Sequence, residues 1–134
     1  MPESCPACER PLCRLDVPPA LREFAPSESP VVGSCPRCLR TYALEETGPA
    51  EDQCGRADLP DGIPDGEGGV ALALAVGLLD SLATNRAAIQ ALVEHAERSG
   101  VDVFLALDRL TDDESLEPHA SLARRRQQLA SLLD

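Results

Sequence analysis

The chain has 134 residues, enough for one ordinary domain or two small ones, and sets 23 acidic side chains against 12 basic ones for a net charge of −11. That excess favours solubility and repels polyanions at long range, and no stretch approaches the roughly 18 apolar residues needed to cross a bilayer. Every basic residue is Arg, and Phe24, Tyr42 and Phe104 are the only aromatic rings, so any core must be aliphatic and modest.

The amino terminus opens with Glu3 and cysteines where a secretory signal would have basic and then apolar residues, so a cytoplasmic location is expected. Paired cysteines in a reducing compartment read as metal ligands before disulfides. The first pair stands in Cys5-Pro6-Ala7-Cys8-Glu9-Arg10, and the same pattern returns as Cys35-Pro36-Arg37-Cys38-Leu39-Arg40. Each Cys-x-x-Cys spans one tight turn, a knuckle, that aims both sulfurs at one point. Two of them make Cys5, Cys8, Cys35 and Cys38 candidate ligands of one structural Zn²⁺. Pro at the second position fixes φ and leaves the following amides free to donate to sulfur. Four thiolates leave the site anionic, and Arg10 and Arg40, at the same offset in each copy, are placed to offset that charge from outside the ligand set. The competing reading is a redox dithiol, which needs a thiol pKa lowered at a helix N-terminus; neither pair precedes such a helix. An unmetallated or disulfide-linked pair is a third.

Between the pairs, Leu12, Arg14 and Asp16 alternate with Cys13, Leu15 and Val17, the period of a short strand that Pro18-Pro19 ends. Ala20 to Phe24 suits one helical turn. Val31 and Val32 lead into the second pair, and Thr41, Tyr42 and Ala43 lead out as another strand. A sheet this small cannot fold on burial alone and needs the metal. Cys13 is expected to pack as a small apolar side chain, and Cys54, in a polar stretch, to be a free thiol.

Glu45 to Gly69 is rich in Pro, Gly and acidic residues, with Arg56 its one cation, and reads as a linker or an arm with almost nothing to bury. From Val70 the chain turns apolar. Ala75, Leu78, Leu82, Ile89, Leu92 and Ala96 keep one helical stripe, which predicts one long helix to about Ser99; Asn85 as cap of a second helix is the alternative. Its first turns are apolar on nearly every side, so something must surround them: the ribbon, the arm or a second chain. Gly100 is a stop signal and Asp102 an N-cap for a helix carrying Val103, Phe104, Leu107 and Leu110. Pro118 suits the first position of a last helix with Leu122, Leu129, Leu132 and Leu133. Arg124, Arg125 and Arg126 form a basic cluster, read as salt-bridging to Asp112, Asp113, Glu114 or the arm, with a phosphate-contacting patch as the alternative. His95 and His119 are solitary and read as ordinary, not ligands.

The two Cys-Pro-x-Cys knuckles, the acidic Arg-only composition and the stretches Gly77–Ala83 and Gly100–Leu110 resemble a haloarchaeal family of unknown function related to small Cys-Pro-x-Cys-Gly zinc-finger proteins. The resemblance implies a zinc-ribbon fold and a metal, and no reaction. Glu9 and Leu39 depart from it, standing where Gly follows the second cysteine, a position that takes positive φ.

The sequence thus predicts an α+β chain: a zinc ribbon over 1–48, an acidic arm over 49–69 and a helical bundle over 70–134. A closed site of four cysteines, with no catalytic set beside it, points to a non-enzymatic adaptor that needs no small-molecule substrate. Its helical part would meet a protein partner or a second copy of itself. A nucleic-acid-binding role in transcription or translation is the second reading and a redox protein the third.

Overall fold

The computed structural model describes residues 5, 6, 8, 9, 11–44, 59, 60, 62–64 and 66–133. Three antiparallel strands come first, β1 (Cys13–Asp16), β2 (Val31–Ser34) and β3 (Thr41–Ala43), with β2 in the middle. Four helices follow: α1 (Glu67–Gly77), α2 (Arg86–Arg98), α3 (Val103–Thr111) and α4 (Leu122–Leu133). The expected α+β class, a small sheet and then helices, is the one observed.

In the sheet, Cys13 pairs with Ser34 and Asp16 with Val31, while Val32 faces Ala43 and Ser34 faces Thr41. 3₁₀ segments over Pro19–Phe24 and Pro26–Glu28 fill the β1–β2 connection, and Val17 N–H closes it on Pro30 O at 2.8 Å. Strand alternation sends side chains into two clusters. Cys13, Leu15, Val17 and Val32 enter the main core with the helices, whereas Leu12, Val31 and Leu44 pack among the cysteines. With both faces covered, every residue of β2 is buried. Cys13 has no exposed surface, and it is disulfide-bonded, so it is not the simple apolar side chain expected. The expectation for Cys54 lies outside the described residues.

The single helix expected from 70 to about 99 is two. α1 ends at Gly77, a 3₁₀ turn takes Leu79–Ser81, and α2 begins at Arg86. The stripe keeps its phase because both helices turn it to the same interior: Leu82, Ile89, Leu92 and Ala96 are all buried. Asn85 precedes α2 as in the alternative, but its Nδ2 donates to Leu78 O at 3.4 Å, serving a carbonyl at the end of α1. The hairpin is tied at its far end by His95 Nε2 on α2, 2.5 Å from Glu67 Oε2 at the start of α1.

Nothing in α1 from Gly68 to Val76 is exposed, and the chain itself provides the cover. Leu59 and Ile63, from the segment read as having almost nothing to bury, lie in the same core, as do the inward side chains of the sheet. Of the ribbon, the arm and a second chain, any of which was expected to surround this helix, the first two do so among the described residues, where Leu105, 47% exposed, is the one large apolar side chain at the surface. Gly77 lets helix and sheet approach: a Cβ there would stand 2.4 Å from Thr41 Oγ1 on β3.

Gly100 takes φ 94°, and Asp102 Oδ1 accepts the Leu105 N–H at 3.0 Å, so the stop and cap read from the sequence both operate. Leu107 and Leu110 are buried as expected. Pro118 is not the first residue of α4. The helix starts at Leu122, and residues 116–118 run irregularly because the Glu117 and His119 amides bond elsewhere, as described below. Leu122 and Leu129 are buried, Leu132 is half-buried, and the Leu133 side chain lies outside the described set. No described helix is long and apolar enough to cross a membrane.

Candidate metal centre

The Sγ atoms of Cys5, Cys8, Cys35 and Cys38 all lie within 4.8 Å of one another, with Cys5 and Cys38 3.6 Å apart. Four sulfurs each about 2.3 Å from a zinc ion would be spaced by roughly 3.8 Å, so the cluster has the size of one tetrahedral site. None of the four is in a disulfide; Cys5, Cys35 and Cys38 are buried and Cys8 is half-buried. The group could hold one metal ion. Leu12, Val31, Leu44 and Tyr42 pack around it and keep water from its inner side.

The duplicated sequence gives duplicated geometry. Glu9 N–H donates to Cys5 O at 2.7 Å and Leu39 N–H to Cys35 O at 3.0 Å, closing the same turn twice. In the second copy the Arg37 and Cys38 amides both donate to Cys35 Sγ at 3.4 Å, the role that Pro at the second position leaves to them. Glu9 and Leu39 take φ of 58° and 67°, so the turn is kept in the left-handed form despite the absence of Gly. That conformation costs a side-chain-bearing residue about 1–2 kcal/mol. Leu39 recovers the cost by burial, being 1% exposed in the main core, whereas Glu9 is exposed. Glu9→Gly should therefore raise stability by about 0.5–1 kcal/mol after the added flexibility of the unfolded chain is subtracted, and Leu39→Gly should lower it. Chemical denaturation of the two variants checks both signs.

Burial pushes the Cys38 thiol up to about 12 and raises the Cys8 thiol as well. A redox dithiol needs the opposite shift. Such thiols give up their protons to a cation, so metal uptake releases protons and weakens as pH falls. The Tyr42 hydroxyl lies 3.6 Å from Cys5 Sγ; burial and that neighbouring sulfur raise its pKa. Arg40, expected beside the site, is there. Burial would lower its guanidinium, but a hydrogen bond to Cys38 and the surrounding sulfurs outweigh this and raise it. Arg10 lies outside the described residues. Tyr42 escaped the sequence reading, although it stands on β3 only two residues after Arg40, which immediately precedes the strand.

The second knuckle also carries a clasp that no sequence signal announced. Glu117 N–H donates to Arg37 O at 2.8 Å and His119 N–H to Cys38 O at 3.0 Å, which explains the irregular path around Pro118. Arg37 and Glu117 pair at 2.5 Å, and His119 Nε2 donates onward to Val76 O on α1 at 3.1 Å. Ligand loop, α3–α4 connection and α1 are thereby one hydrogen-bonded assembly. Burial is the main cause that lowers the His119 pKa, so the fold holds this ring neutral. Its contribution to stability is present above the unfolded value of about 6.5 and is lost as pH falls below it towards the folded value. Between pH 7 and 5 the melting midpoint of His119→Gln should consequently fall less than that of the wild type, as paired thermal melts will show.

Neither His95 nor His119 is in the cysteine cluster among the described residues, although His119 is tied to Cys38 through its main chain. Two of the three guanidinium groups of the basic cluster have partners among the described residues. Arg126 pairs with Asp108 at 2.8 Å and stacks 5.2 Å from the Phe104 ring centroid, and Arg125 donates to Gln128 Oε1 at 2.9 Å and Asp80 O at 3.3 Å. Arg124 is exposed.

A family model described as Family of unknown function (DUF6276) matches residues 4–133. The chain belongs to that family. No curated protein and no solved structure matches it. The DUF6276 match includes both knuckles and all four helices, the same span that the clasp and the main core join.

Proposed function

We propose that this protein is a non-enzymatic zinc-binding adaptor, in which one structural Zn²⁺ on Cys5, Cys8, Cys35 and Cys38 holds a ribbon that positions the helices for a protein partner in the cytoplasm. The observation that carries the reading is four sulfurs within 4.8 Å of one another in an apolar setting. Four thiolates suit zinc and fill its tetrahedron, which leaves no position for water or substrate, the arrangement of a structural site. The raised thiols and the Arg37–Cys38 backbone anchoring of residues 117–119 support a role in holding the fold rather than in exchanging electrons. Elemental analysis of the chain produced in metal-replete medium tests the ion: one zinc per chain, against iron or no metal, is the expected result. Iron at one equivalent would overturn the zinc assignment. Assays of thiol–disulfide exchange at neutral pH should show no activity above that of free cysteine.

A further inference from the structure

A groove of about 480 Å³ lies between the start of α2 and one face of α4, lined by Leu82, Ala83, Arg86, Arg125, Gln128, Ser131 and Leu132. Its floor is apolar, since Leu82 is buried and Leu132 half-buried. Two arginines open onto it in a chain whose net charge is −11. Acidic side chains outnumber basic ones nearly two to one, yet neither Arg86 nor Arg125 pairs with a carboxylate among the described residues; the carboxylate pairs there belong to Arg37, His95 and Arg126. Arg125 is also held in place by its bonds to Gln128 Oε1 and Asp80 O, which use only part of a guanidinium's five donors. A pinned guanidinium loses little freedom on binding and presents its remaining N–H groups to an anion.

We propose that this groove binds a small anionic amphiphile, with a carboxylate on Arg86 and Arg125 and an aliphatic body on Leu82, Ala83 and Leu132. Volume and lining are those of a small-molecule site: an apolar surface with a few convergent polar groups. The charge fits as well. The chain as a whole carries −11, so an anion is drawn where cations converge, and Arg86 and Arg125 both line this groove.

Decanoate is the probe, titrated into the full-length chain at about 0.1 M salt and followed by ¹⁵N-resolved NMR and calorimetry. Saturable binding is expected, with shifts centred on Leu82, Ala83, Arg86 and Gln128. Decanol, which has the tail without the charge, and acetate, which has the charge without the tail, should each bind at least tenfold more weakly. Arg86→Gln should weaken decanoate at least threefold; Arg86 makes no contact that the fold needs among the described residues, so this variant stays folded. Arg125→Gln should weaken it tenfold, with circular dichroism confirming the fold. No saturable binding at millimolar decanoate, equal binding of decanol, or unchanged affinity in Arg86→Gln would each overturn the proposal. Since the metal centre plays no part in this binding, zinc content measured on the same samples separates failure here from failure of the adaptor reading.

Discussion

Cys35→Ser is expected to abolish stoichiometric metal binding and to unfold the three-stranded sheet. Cys35 has no exposed surface, accepts two amide hydrogen bonds, and sits where β2 turns towards β3, its own N–H bonded to Arg40 O at 2.9 Å. A structural zinc contributes on the order of 10 kcal/mol to the folding of a small ribbon. The apolar side chains that share its cluster, Leu12, Val31, Leu44 and Tyr42, are too few to replace that. The loss does not stop at the sheet. Leu15 and Val32 belong to the core of α1 and α2, and residues 117–119 hang on the ligand loop, so the helices should persist at low temperature but melt lower, by at least about 3 kcal/mol. Metal content and thermal circular dichroism on the variant decide this. Stoichiometric zinc in Cys35→Ser would remove Cys35 from the ligand set.

The other large effect belongs to Leu79→Glu. Leu79 is 1% exposed in the turn after α1, inside the core that both helices share. A carboxylate there enters an apolar core and must be desolvated or drive the chain open, at a cost on the order of 4 kcal/mol or more. Leu78, half-buried next to it, should tolerate the same change at about half that cost. If the chain covers α1 by itself, Leu79→Glu unfolds without changing the association state of what remains folded, as denaturant titration with light scattering will show. A folded Leu79→Glu monomer arising from a wild-type dimer would instead place Leu79 at a subunit contact.

What could be read in the sequence was whatever is local. Two Cys-Pro-x-Cys turns set their own sulfurs, and strand alternation at 13–17, the Gly100 stop and the Asp102 cap are decided within a few residues. The failures involve distance along the chain. Periodicity could not separate one helix from two, because a chain that reverses at 78–85 and packs on itself keeps the same face inward. Leu59 and Ile63 are two apolar residues in a polar stretch, and only the tertiary fold reveals that α1 needs them. The clasp rests on main-chain groups of Arg37, Cys38, Glu117 and His119, which carry no side-chain signature, and it displaced the helix start expected at Pro118.

Native mass spectrometry, run before and after treatment with a strong chelator and paired with thermal melts of the same samples, tests the metal centre most directly. The account predicts a mass higher by one zinc ion, bound with loss of protons, that disappears with chelator while the melting midpoint drops steeply. A chain that carries no metal as isolated and melts at the same temperature with and without chelator would contradict it.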